Sequence, residues 1–365
     1  MSKFVFQSPG KYIQGAGVIN ELGEETVKLA KNPLVISDEM VWSITEERIT
    51  KSFKDTDIDF VYEQFNGEAS ENEINRLTES GEKNESDIVI GVGGGKTLDT
   101  VKAIADNLGT PVIIVPTTAS TDAPSSSLSV IYSDEGKFTG YRFYDKNPNL
   151  IIIDSEVVVN APVKLFTSGI SDAMATLVEA RAVLKSNGEN MAGGQPTLAS
   201  VAIAEKCEEI LFKHGHAAHK AAAKGIVTPQ VDAVIEANTL LSGLGFENGG
   251  LAAAHAIHNG FTSLSGDIHH LSHGEKVTYG TLVQLVLENS SDETLKRYID
   301  FYKSIGMPTT LKEMHLEDTS FEDLVKVGEL ATDPNDTFSN LSSRITPEEI
   351  ANAILAVSEI SEGNE

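Results

Sequence analysis

The sequence predicts an α/β domain with a parallel sheet over residues 1–161, followed by an all-α domain over residues 162–365. Up to residue 161, short β-rich runs alternate with amphipathic helical stretches, which is typical of parallel strands joined by crossover helices. Beyond that point, long Ala- and Leu-rich segments dominate and β-branched runs become scarce. A chain of 365 residues also exceeds the size at which one hydrophobic core usually stops growing, so two domains are expected.

The predicted strands are apolar runs bounded by Gly, Pro and Asp, the pattern typical of strands buried on both faces of a parallel sheet. The segments with this pattern are 32–39, 60–67, 86–99, 110–120, 128–134 and 147–158. The acidic segment 69–84 lies between two of them. Its Ile74 and Leu77 share one face, which predicts a solvated helix.

Two patterns predict helices in the second half of the chain. One is an apolar stripe with a spacing of three or four residues, formed by Leu198, Val201, Ala204, Cys207 and Leu211. The other is Thr346 followed by Pro347 and two glutamates, which indicates a helix that Thr346 caps and Pro347 begins.

The composition excludes several classes of partner. The chain has 54 acidic and 28 basic residues, a net charge of −26, so a nucleic acid would be repelled. Its single cysteine, Cys207, offers no disulfide framework and is most simply a buried apolar residue. No apolar run has the length of a signal peptide or a membrane span. We therefore expect a cytoplasmic protein with neither a nucleic-acid nor a membrane partner.

A glycine run, Gly93-Gly94-Gly95-Lys96, stands between a predicted strand and a predicted helix. Glycines allow a backbone to approach a ligand closely, and a helix N-terminus presents unpaired N–H groups to phosphate. In an open α/β sheet, ligands bind at the carboxyl ends of the strands. The run therefore predicts a nucleotide-cofactor site. It matches neither GxGxxG nor GxxxxGK(S/T), and a purely structural turn is the alternative.

Polar residues after two other predicted strands extend this hypothesis. Asp38 ends an early strand, where a carboxylate accepts hydrogen bonds from ribose hydroxyls and repels a 2′-phosphate, which favours NAD over NADP. An Asp that merely ends a strand is the alternative. The segment 116–132 is rich in hydroxyl groups that could bind phosphate or ribose. Its candidates are Thr117, Thr118, Ser120 and Ser126, with Asp122 as an acid among neutral groups.

The histidines suggest a metal site, because five of the nine lie within residues 251–280. Catalytic zinc sites use three protein ligands and leave one position open. His255 and His273, with Asp172 far upstream, are the candidate ligands. His258 lies three residues after His255 on the same helical face, where it could contact a ligand or the substrate.

The other histidines are expected outside any metal site. His269 and His270 are adjacent, so their side chains point apart, and a loop or surface position is expected. His214, His216 and His219 lie in an Ala- and Lys-rich helical stretch without a partnering carboxylate, which indicates a solvated surface.

Five segments together resemble a known family. They are GGGKTLDTVKAIA, PTTASTDAPSSSLSVIY, GISDAMAT, HAIHNG and HHLSHGEKVTYGTL. In this order they resemble the glycerol dehydrogenases of the iron-containing alcohol dehydrogenase and dehydroquinate synthase-like group. The resemblance spans roughly residues 10–290 and implies a dehydroquinate synthase-like fold, with an NAD-binding sheet domain and a metal-binding helical domain.

The resemblance also implies roles for particular residues. The metal ligands would be Asp172, His255 and His273, and Asp122 would contact a substrate hydroxyl. The NAD-binding residues would be Asp38, Gly94, Gly95, Lys96, Thr117, Ser120, Ser126, Leu128 and Tyr132, with Asp99 and Thr118 added from the same segments. Iron enzymes of the group have a further His four residues after the Asp ligand. Thr176 stands there in this chain, which favours zinc.

The activity that the resemblance implies is NAD- and zinc-dependent oxidation of glycerol and related 1,2-diols. Hydride would pass from carbon 2 to the nicotinamide, giving dihydroxyacetone, and His258 or water would accept the proton. The alternatives are a dehydrogenase of another polyol or of glycerol 1-phosphate, or a dehydroquinate synthase-like lyase. The lyase is disfavoured because it uses a Glu where this chain has Asp172, and because residues 124–132 are neutral. The group further implies a homo-oligomer, often an octamer.

Overall fold

The computed structural model of the protein describes residues 3–363. The chain forms two compact units. The first, called here the sheet unit, comprises Gln7–Phe166 and Ala221–Gly243. The second, the helical unit, comprises Met1–Phe6, Thr167–Lys220 and Leu244–Glu365.

The sheet unit is built on a six-stranded sheet in which every neighbouring pair of strands is parallel. The strands of the chain are β1 Tyr12–Gly15, β2 Pro33–Ser37, β3 Val61–Gln64, β4 Ile88–Gly93, β5 Val112–Pro116, β6 Leu128–Tyr132, β7 Phe138–Phe143 and β8 Leu150–Asp154. The order in the large sheet is β1-β8-β5-β4-β2-β3. The predicted α/β fold with a parallel sheet is confirmed. The strands β2, β4, β5 and β8 are buried at every position, which explains their continuous apolar runs.

One strand prediction was wrong in its placement. The segment 128–134 was expected in the parallel sheet, but β6 pairs antiparallel with β7 in a separate two-stranded sheet. The reason is local, because a polar turn with Gly136 in a left-handed conformation (φ 77°) follows β6 at once and reverses the chain. Most positions of β7 are exposed, so its sequence lacks the apolar run on which the strand predictions relied.

Some of the helices belong to the sheet unit, and the others form the helical unit. The helices are α1 Leu22–Val27, α2 Glu39–Lys54, α3 Glu71–Lys83, α4 Gly95–Leu108, α5 Ser155–Asn160, α6 Val163–Ser186, α7 Leu198–Ala222, α8 Pro229–Glu236, α9 Ser242–Gly249, α10 Ala253–Gly260, α11 His273–Leu287, α12 Asp292–Ser304, α13 Phe321–Ala331 and α14 Pro347–Glu362. A π-helical turn, Ala237–Leu241, joins α8 to α9. Within residues 3–363, no helix combines the length and apolar character that crossing a bilayer requires.

The helices that the sequence predicted begin and pack for the expected reasons. Helix α3 buries Ile74 and Leu77, and its solvated face carries Glu71, Glu79 and Glu82, whereas Glu73 is buried. Helix α14 begins with the predicted cap. The Thr346 side chain accepts a hydrogen bond from the Glu349 N–H, and the Glu349 carboxylate accepts one from the Thr346 N–H. The stripe on α7 is only partly buried, since Leu198 is exposed in the first helical turn.

The chain returns to the sheet unit after α7, which differs from the division at residue 161 that the sequence suggested. Helix α8 and the π-helical turn carry polar groups that hydrogen-bond with β1. Gln14 donates to the Asp232 carbonyl (2.8 Å), and the hydroxyls of Tyr12 and Thr239 lie 3.1 Å apart. These contacts join residues more than 200 positions apart, so no local pattern indicates them.

Within the helical unit, two glycines of α11 allow close contact with neighbouring helices. A Cβ at Gly274 would lie 2.1 Å from the Ser168 carbonyl oxygen of α6, and one at Gly280 would lie 2.3 Å from the Ala254 carbonyl oxygen of α10. Helix α11 therefore packs backbone against backbone with both helices, and a side chain at either position would force them apart.

The substitution Gly280→Ala should test this close packing. We expect it to lower the free energy of unfolding by about 1–3 kcal/mol through overpacking, although Ala favours a helix over Gly by about 1 kcal/mol. Urea unfolding followed by circular dichroism measures the change. Gly95→Ala is the control, since its Cβ would lie 3.8 Å from the nearest atom at the start of α4. Equal stability of the two variants would contradict the packing argument.

Candidate active site

The structure brings three predicted metal ligands together in the helical unit. Asp172 lies on α6, His255 on α10, and His273 is the first residue of α11. Asp172 Oδ1 lies 3.3 Å from His255 Nε2 and 3.0 Å from His273 Nε2. One ligand atom from each residue falls within 4.8 Å of the others, which is the spacing of a single metal site.

The carboxylate at the centre of this cluster is buried. The side chain of Asp172 is 1% exposed, and its Oδ2 has no hydrogen-bond partner among residues 3–363. Burial alone raises the pKa of Asp172, but the imidazoles of His273 and His255 outweigh that effect and hold the pKa well below its usual value. A buried carboxylate oxygen without a partner is costly, and a cation between the three residues would satisfy it.

Glu179 is a residue of this site that the sequence analysis missed. It is fully buried on α6, and its Oε2 accepts a hydrogen bond from His255 Nδ1 (2.6 Å). Its Oε1 accepts from the backbone N–H groups of His255 and Ala252. Glu179 thereby fixes the His255 ring with Nε2 toward Asp172. It lies seven residues after Asp172, two helical turns along the same face, and that spacing could have indicated it.

Two buried carboxylates make the position of His255 favourable for positive charge. Burial lowers the pKa of His255, but the carboxylates of Glu179 and Asp172 outweigh it and raise the pKa well above its usual value. The site is therefore built to hold a cation. Two imidazole nitrogens and one carboxylate oxygen form the donor set of a catalytic zinc site, and the cluster fits such a metal.

His258 contacts this cluster without pointing into it. Its Nε2 lies 3.1 Å from His273 Nδ1, and its Nδ1 lies 3.1 Å from Asn259 Oδ1. Burial, with positive charge on His273 and His255, lowers the pKa of His258 well below its usual value, so the ring is neutral. Both of its nitrogens are engaged by protein atoms.

The remaining histidines lie outside the cluster. His269 and His270 are exposed in a short 3₁₀ helix, as expected. His216 is exposed, as predicted. His219 is only partly exposed, although a solvated surface position was predicted for it. Its Nδ1 lies 2.9 Å from the Thr167 hydroxyl, and burial lowers the pKa of His219.

In the sheet unit, the predicted cofactor residues lie at the carboxyl ends of neighbouring strands. Ser37 of β2 pairs with Val92 of β4, so Asp38 and Gly94 follow at the same edge. The chain runs from β2 outward to β3, then returns to place β4 on the other side of β2. Such a switch in strand order opens a crevice, and ligands of open α/β sheets bind there.

The glycine run forms a helix N-terminus suited to an anion. Helix α4 begins after Gly94 without a capping side chain, so its first N–H groups remain available. A Cβ at Gly94 would approach no protein atom closer than 3.9 Å, and one at Gly95 none closer than 3.8 Å. The protein itself does not require glycine at these two positions. The space above them is open to a ligand that a Cβ would obstruct.

Asp38 has a structural role in the protein, and its position also leaves room for the predicted role in ribose binding. It caps α2, because its Oδ1 accepts a hydrogen bond from the Val41 N–H (3.0 Å). Its second carboxylate oxygen accepts no hydrogen bond from any residue that the structure describes, and the side chain is only half-buried. That oxygen can accept from a ribose hydroxyl.

Two candidates of the α4 segment are engaged within the protein. Lys96 forms an ion pair with Glu68 and lies over the Tyr132 ring, 5.5 Å from its centroid. Asp99 is buried, and its carboxylate pairs with Lys102 (3.0 Å) and accepts from the Val130 N–H (3.1 Å). Burial raises the pKa of Asp99 against the opposing charge of Lys102. Asp99 thus ties α4 to β6 and offers no open carboxylate.

The hydroxyl-rich segment after β5 lies beside the glycine run. The Thr117 N–H donates to the Gly93 carbonyl (3.0 Å), which places this segment next to the start of α4. The hydroxyls of Thr118 and Ser120 lie 3.1 Å apart on partly exposed side chains. The hydroxyl of Ser126 instead donates to the Ala123 carbonyl.

Leu128 and Tyr132 lie at the two ends of β6. The Leu128 side chain is buried, and its carbonyl accepts a hydrogen bond from Lys102. Burial raises the pKa of Tyr132 to about 12, so its hydroxyl is a neutral donor at physiological pH.

The π-helical turn holds the segment that carries Asp122. Asn238 donates to the Ala119 carbonyl (3.0 Å), and the Ser125 hydroxyl donates to the Thr239 carbonyl (2.9 Å). The Ser242 hydroxyl reaches Asp122 Oδ2 at 3.4 Å. π-Helical turns recur at functional sites because they free backbone groups for other contacts. Neither Asn238 nor Ser242 stood out in the sequence.

The structure thus places a candidate metal site in the helical unit and a candidate nucleotide site in the sheet unit. A family model described as "Iron-containing alcohol dehydrogenase" matches residues 9–155. The chain is 47% identical over 96% of its length to "Glycerol dehydrogenase" of Escherichia coli O6:H1, covering 95% of that protein. It is 45% identical over 98% of its length to "Glycolaldehyde reductase" of Halobacterium salinarum, covering 97% of it.

A solved structure gives the same result. The "glycerol dehydrogenase from Schizosaccharomyces pombe" superposes with a TM-score of 0.95 at 43% identity, covering 100% of this chain and 92% of the other. The chain belongs to the iron-containing alcohol dehydrogenase family, among relatives that include glycerol dehydrogenases, and it is an oxidoreductase.

Proposed function

We propose that this protein oxidises glycerol to dihydroxyacetone, using NAD as the hydride acceptor and a zinc ion as the Lewis acid. The observation that carries the proposal is the convergence of Asp172 with Nε2 of both His255 and His273. This donor set occurs in a chain that is 47% identical to a glycerol dehydrogenase over 96% of its length. Related 1,2-diols would be oxidised at the same site.

The helical unit supplies the metal chemistry of the proposal. Asp172, His255 and His273 would hold the ion, and Glu179 would keep the His255 ring in place. A divalent metal there supplies Lewis acidity, which lowers the pKa of a coordinated hydroxyl group. His258 has both ring nitrogens engaged, so water rather than His258 would accept the hydroxyl proton.

The metal assignment rests on the number and kind of donors. Within residues 3–363, this carboxylate and these two imidazoles are the group that could hold an ion. Thr176, one helical turn after Asp172, offers no imidazole where iron enzymes of the family have one. Three protein donors with a position open for substrate is the arrangement of catalytic zinc.

The sheet unit supplies the cofactor contacts of the proposal. The uncapped start of α4 would bind the pyrophosphate of NAD, with the hydroxyls of Thr118 and Ser120 nearby. The second carboxylate oxygen of Asp38 would accept from the adenosine ribose and repel the 2′-phosphate of NADP. Lys96 would leave its ion pair with Glu68 and bind the phosphates of NAD instead. The buried Asp99 would hold α4 in place without contacting NAD.

A second candidate function is the reduction of glycolaldehyde by NADH. The observation that favours it is the 45% identity to a glycolaldehyde reductase, over 98% of this chain. The product, ethane-1,2-diol, is itself a 1,2-diol, so the same donors would bind it. The relatives are dehydrogenases and reductases, and none of those reported supports the lyase alternative. The proposal keeps the cytoplasmic location and the homo-oligomer expected from the sequence.

The proposed activity is tested by NADH formation from a panel of polyols. We expect turnover of glycerol that is lost on chelation and restored by zinc, because the alcohol proton is otherwise too weakly acidic to leave. Glycolaldehyde with NADH, assayed in parallel, compares the two candidate substrates. His255→Ala should lose both activities and zinc, while His269→Ala, on an exposed loop, should retain them. Chelator-resistant oxidation of glycerol would contradict the metal-dependent proposal.

Asp122→Asn tests the recognition of a second hydroxyl. A hydrogen bond to a charged group contributes about 1.5–3 kcal/mol, so kcat/KM for glycerol should fall roughly 10- to 100-fold. A mono-alcohol lacks the second hydroxyl, and its kcat/KM should change less than about threefold. Asp145→Asn, at an exposed position, is the matched control. An equal loss on both substrates would reject this role for Asp122.

Gly94→Ala tests the cofactor cradle. Because the added methyl group meets no protein atom within 3.9 Å, the unfolding midpoint should change little. The same methyl would occupy space that NAD needs, so the Kd for NAD should rise at least about tenfold. Titration calorimetry with NAD measures the affinity, and zinc binding by the same variant should remain normal. An unchanged Kd would remove the glycine run from the cofactor site.

A further inference from the structure

A chain of hydrogen bonds leads from the metal cluster to a distant segment of the helical unit. His273 Nδ1 lies 3.1 Å from His258 Nε2, and His258 Nδ1 lies 3.1 Å from Asn259 Oδ1. Asn259 Nδ2 then donates to Asp336 Oδ2 at 2.8 Å, across 77 positions of sequence. The proposed function gives no task to Asn259 or Asp336.

The proton positions along this chain are set from its far end. An ionised carboxylate only accepts hydrogen bonds, so Asp336 must face the NH₂ group of Asn259. Asn259 Oδ1 therefore faces His258, whose Nδ1 must carry the ring proton. The single-proton ring of His258 then has a bare Nε2, which accepts from Nδ1–H of His273. With Nδ1–H of His273 held by His258, Nε2 is the ring nitrogen left to face the metal cluster and to coordinate a cation.

This nitrogen of His273 faces the metal cluster. His273 Nε2 lies 3.0 Å from Asp172 Oδ1, a separation at which either a proton or a metal ion can bridge the two atoms. Glu179 orients His255 in the same way. Its carboxylate accepts a hydrogen bond from His255 Nδ1–H, so His255 Nε2 faces Asp172. Both imidazoles thus present Nε2 to the metal cluster. A carboxylate, that of Glu179, orients His255 directly, whereas the carboxylate of Asp336 orients His273 through Asn259 and His258.

The far carboxylate is itself held firmly. Asp336 Oδ1 accepts from the Thr337 N–H (2.7 Å) and so caps the short 3₁₀ helix Thr337–Asn340. The Thr337 hydroxyl donates to the Ala252 carbonyl (2.8 Å), and Asn340 donates to the Leu251 carbonyl (2.8 Å). These bonds fasten the segment beside the start of α10, which carries both His255 and His258.

We propose that Asn259 and Asp336 are positioning residues, which set the metal affinity of the site by fixing the tautomer of His273 through His258. This inference rests on the metal site of the proposed function and deepens it. It assigns a role to Asp336, whose carboxylate hydrogen-bonds with Asn259 and Thr337 rather than with any of the three ligand residues. Loss of either side chain frees the His258 ring to turn or to exchange its proton position.

The test measures the affinity for zinc alone by competition with a chromogenic chelator. Asp336→Ala and Asn259→Ala should each weaken zinc binding roughly 10- to 100-fold, the usual effect of removing such an outer partner. Glu179→Gln serves as the positive reference. Asp333→Ala is the matched control. Its exposed carboxylate accepts hydrogen bonds from Asn335, and the substitution keeps its backbone carbonyl, which accepts from the Asp336 N–H. NAD affinity should be unchanged in every variant.

A swapped pair separates tautomer control from general support of the fold. In the double variant Asn259→Asp/Asp336→Asn, the carboxylate at 259 accepts from His258 Nδ1–H and the amide at 336 donates to it. The hydrogen bond between positions 259 and 336 reverses, but His258 Nδ1–H still donates to position 259. The tautomer of His258 is therefore kept, and zinc affinity should return to within about threefold of the wild-type value. Selective ¹⁵N labelling of histidine should report Nδ1–H on His258 in the wild type and the swap.

The outcomes distinguish this inference from the function on which it rests. If the wild type binds zinc and the two Ala variants bind it equally well, the inference fails and the metal site stands. If the swap binds zinc as weakly as the single variants, tautomer control is overturned. If the wild type itself takes up no zinc, the proposed metal site fails and this inference fails with it.

Discussion

The carboxylate of Asp172 lies in the interior of the helical unit, and the imidazoles of the metal cluster converge on it. Only about 1% of the side chain is exposed, and leaving such an ion without partners costs several kcal/mol. His255 and His273 approach one of its oxygens, while the other has no partner in the described chain. Positive charge between these residues relieves that cost. The close packing of α11 at Gly274 and Gly280 keeps the two imidazoles within reach.

The sheet unit meets a different electrostatic demand, because a chain with a net charge of −26 has to bind an anionic cofactor in the proposed function. Backbone N–H groups at the start of α4 supply local positive potential that the overall charge does not cancel. Lys96 is already paired with Glu68, so the attraction rests mainly on backbone dipoles. This arrangement makes the open space at Gly94 and Gly95 more important than any single cation.

The parts of the fold that were predictable from sequence are those with local causes. Buried strands such as β4 and the capped start of α14 follow from apolar runs and from Thr346 with its glutamates. The metal donors and most of the NAD contacts were proposed from the histidine cluster, the glycine run and the polar strand ends. The resemblance to a family implied these residues again and added Leu128 and Tyr132. The hairpin β6–β7, Glu179 and the π-helical turn were not predicted. Their meaning depends on contacts between distant segments, such as that of Asn238 with Ala119, which no local periodicity encodes.

The two candidate substrates differ less than their names suggest, because hydride transfer at one site runs in both directions through the same transition state. Glycerol and ethane-1,2-diol each place a hydroxyl beside the carbon that loses hydride. In the proposed function, selectivity between them depends on the groups around Asp122, whose Oδ2 also contacts the Ser242 hydroxyl. The π-helical turn holds that segment through Asn238 and Thr239. In that proposal, Asp122 contributes to substrate choice, and the ion held by Asp172, His255 and His273 sets the acidity of the alcohol.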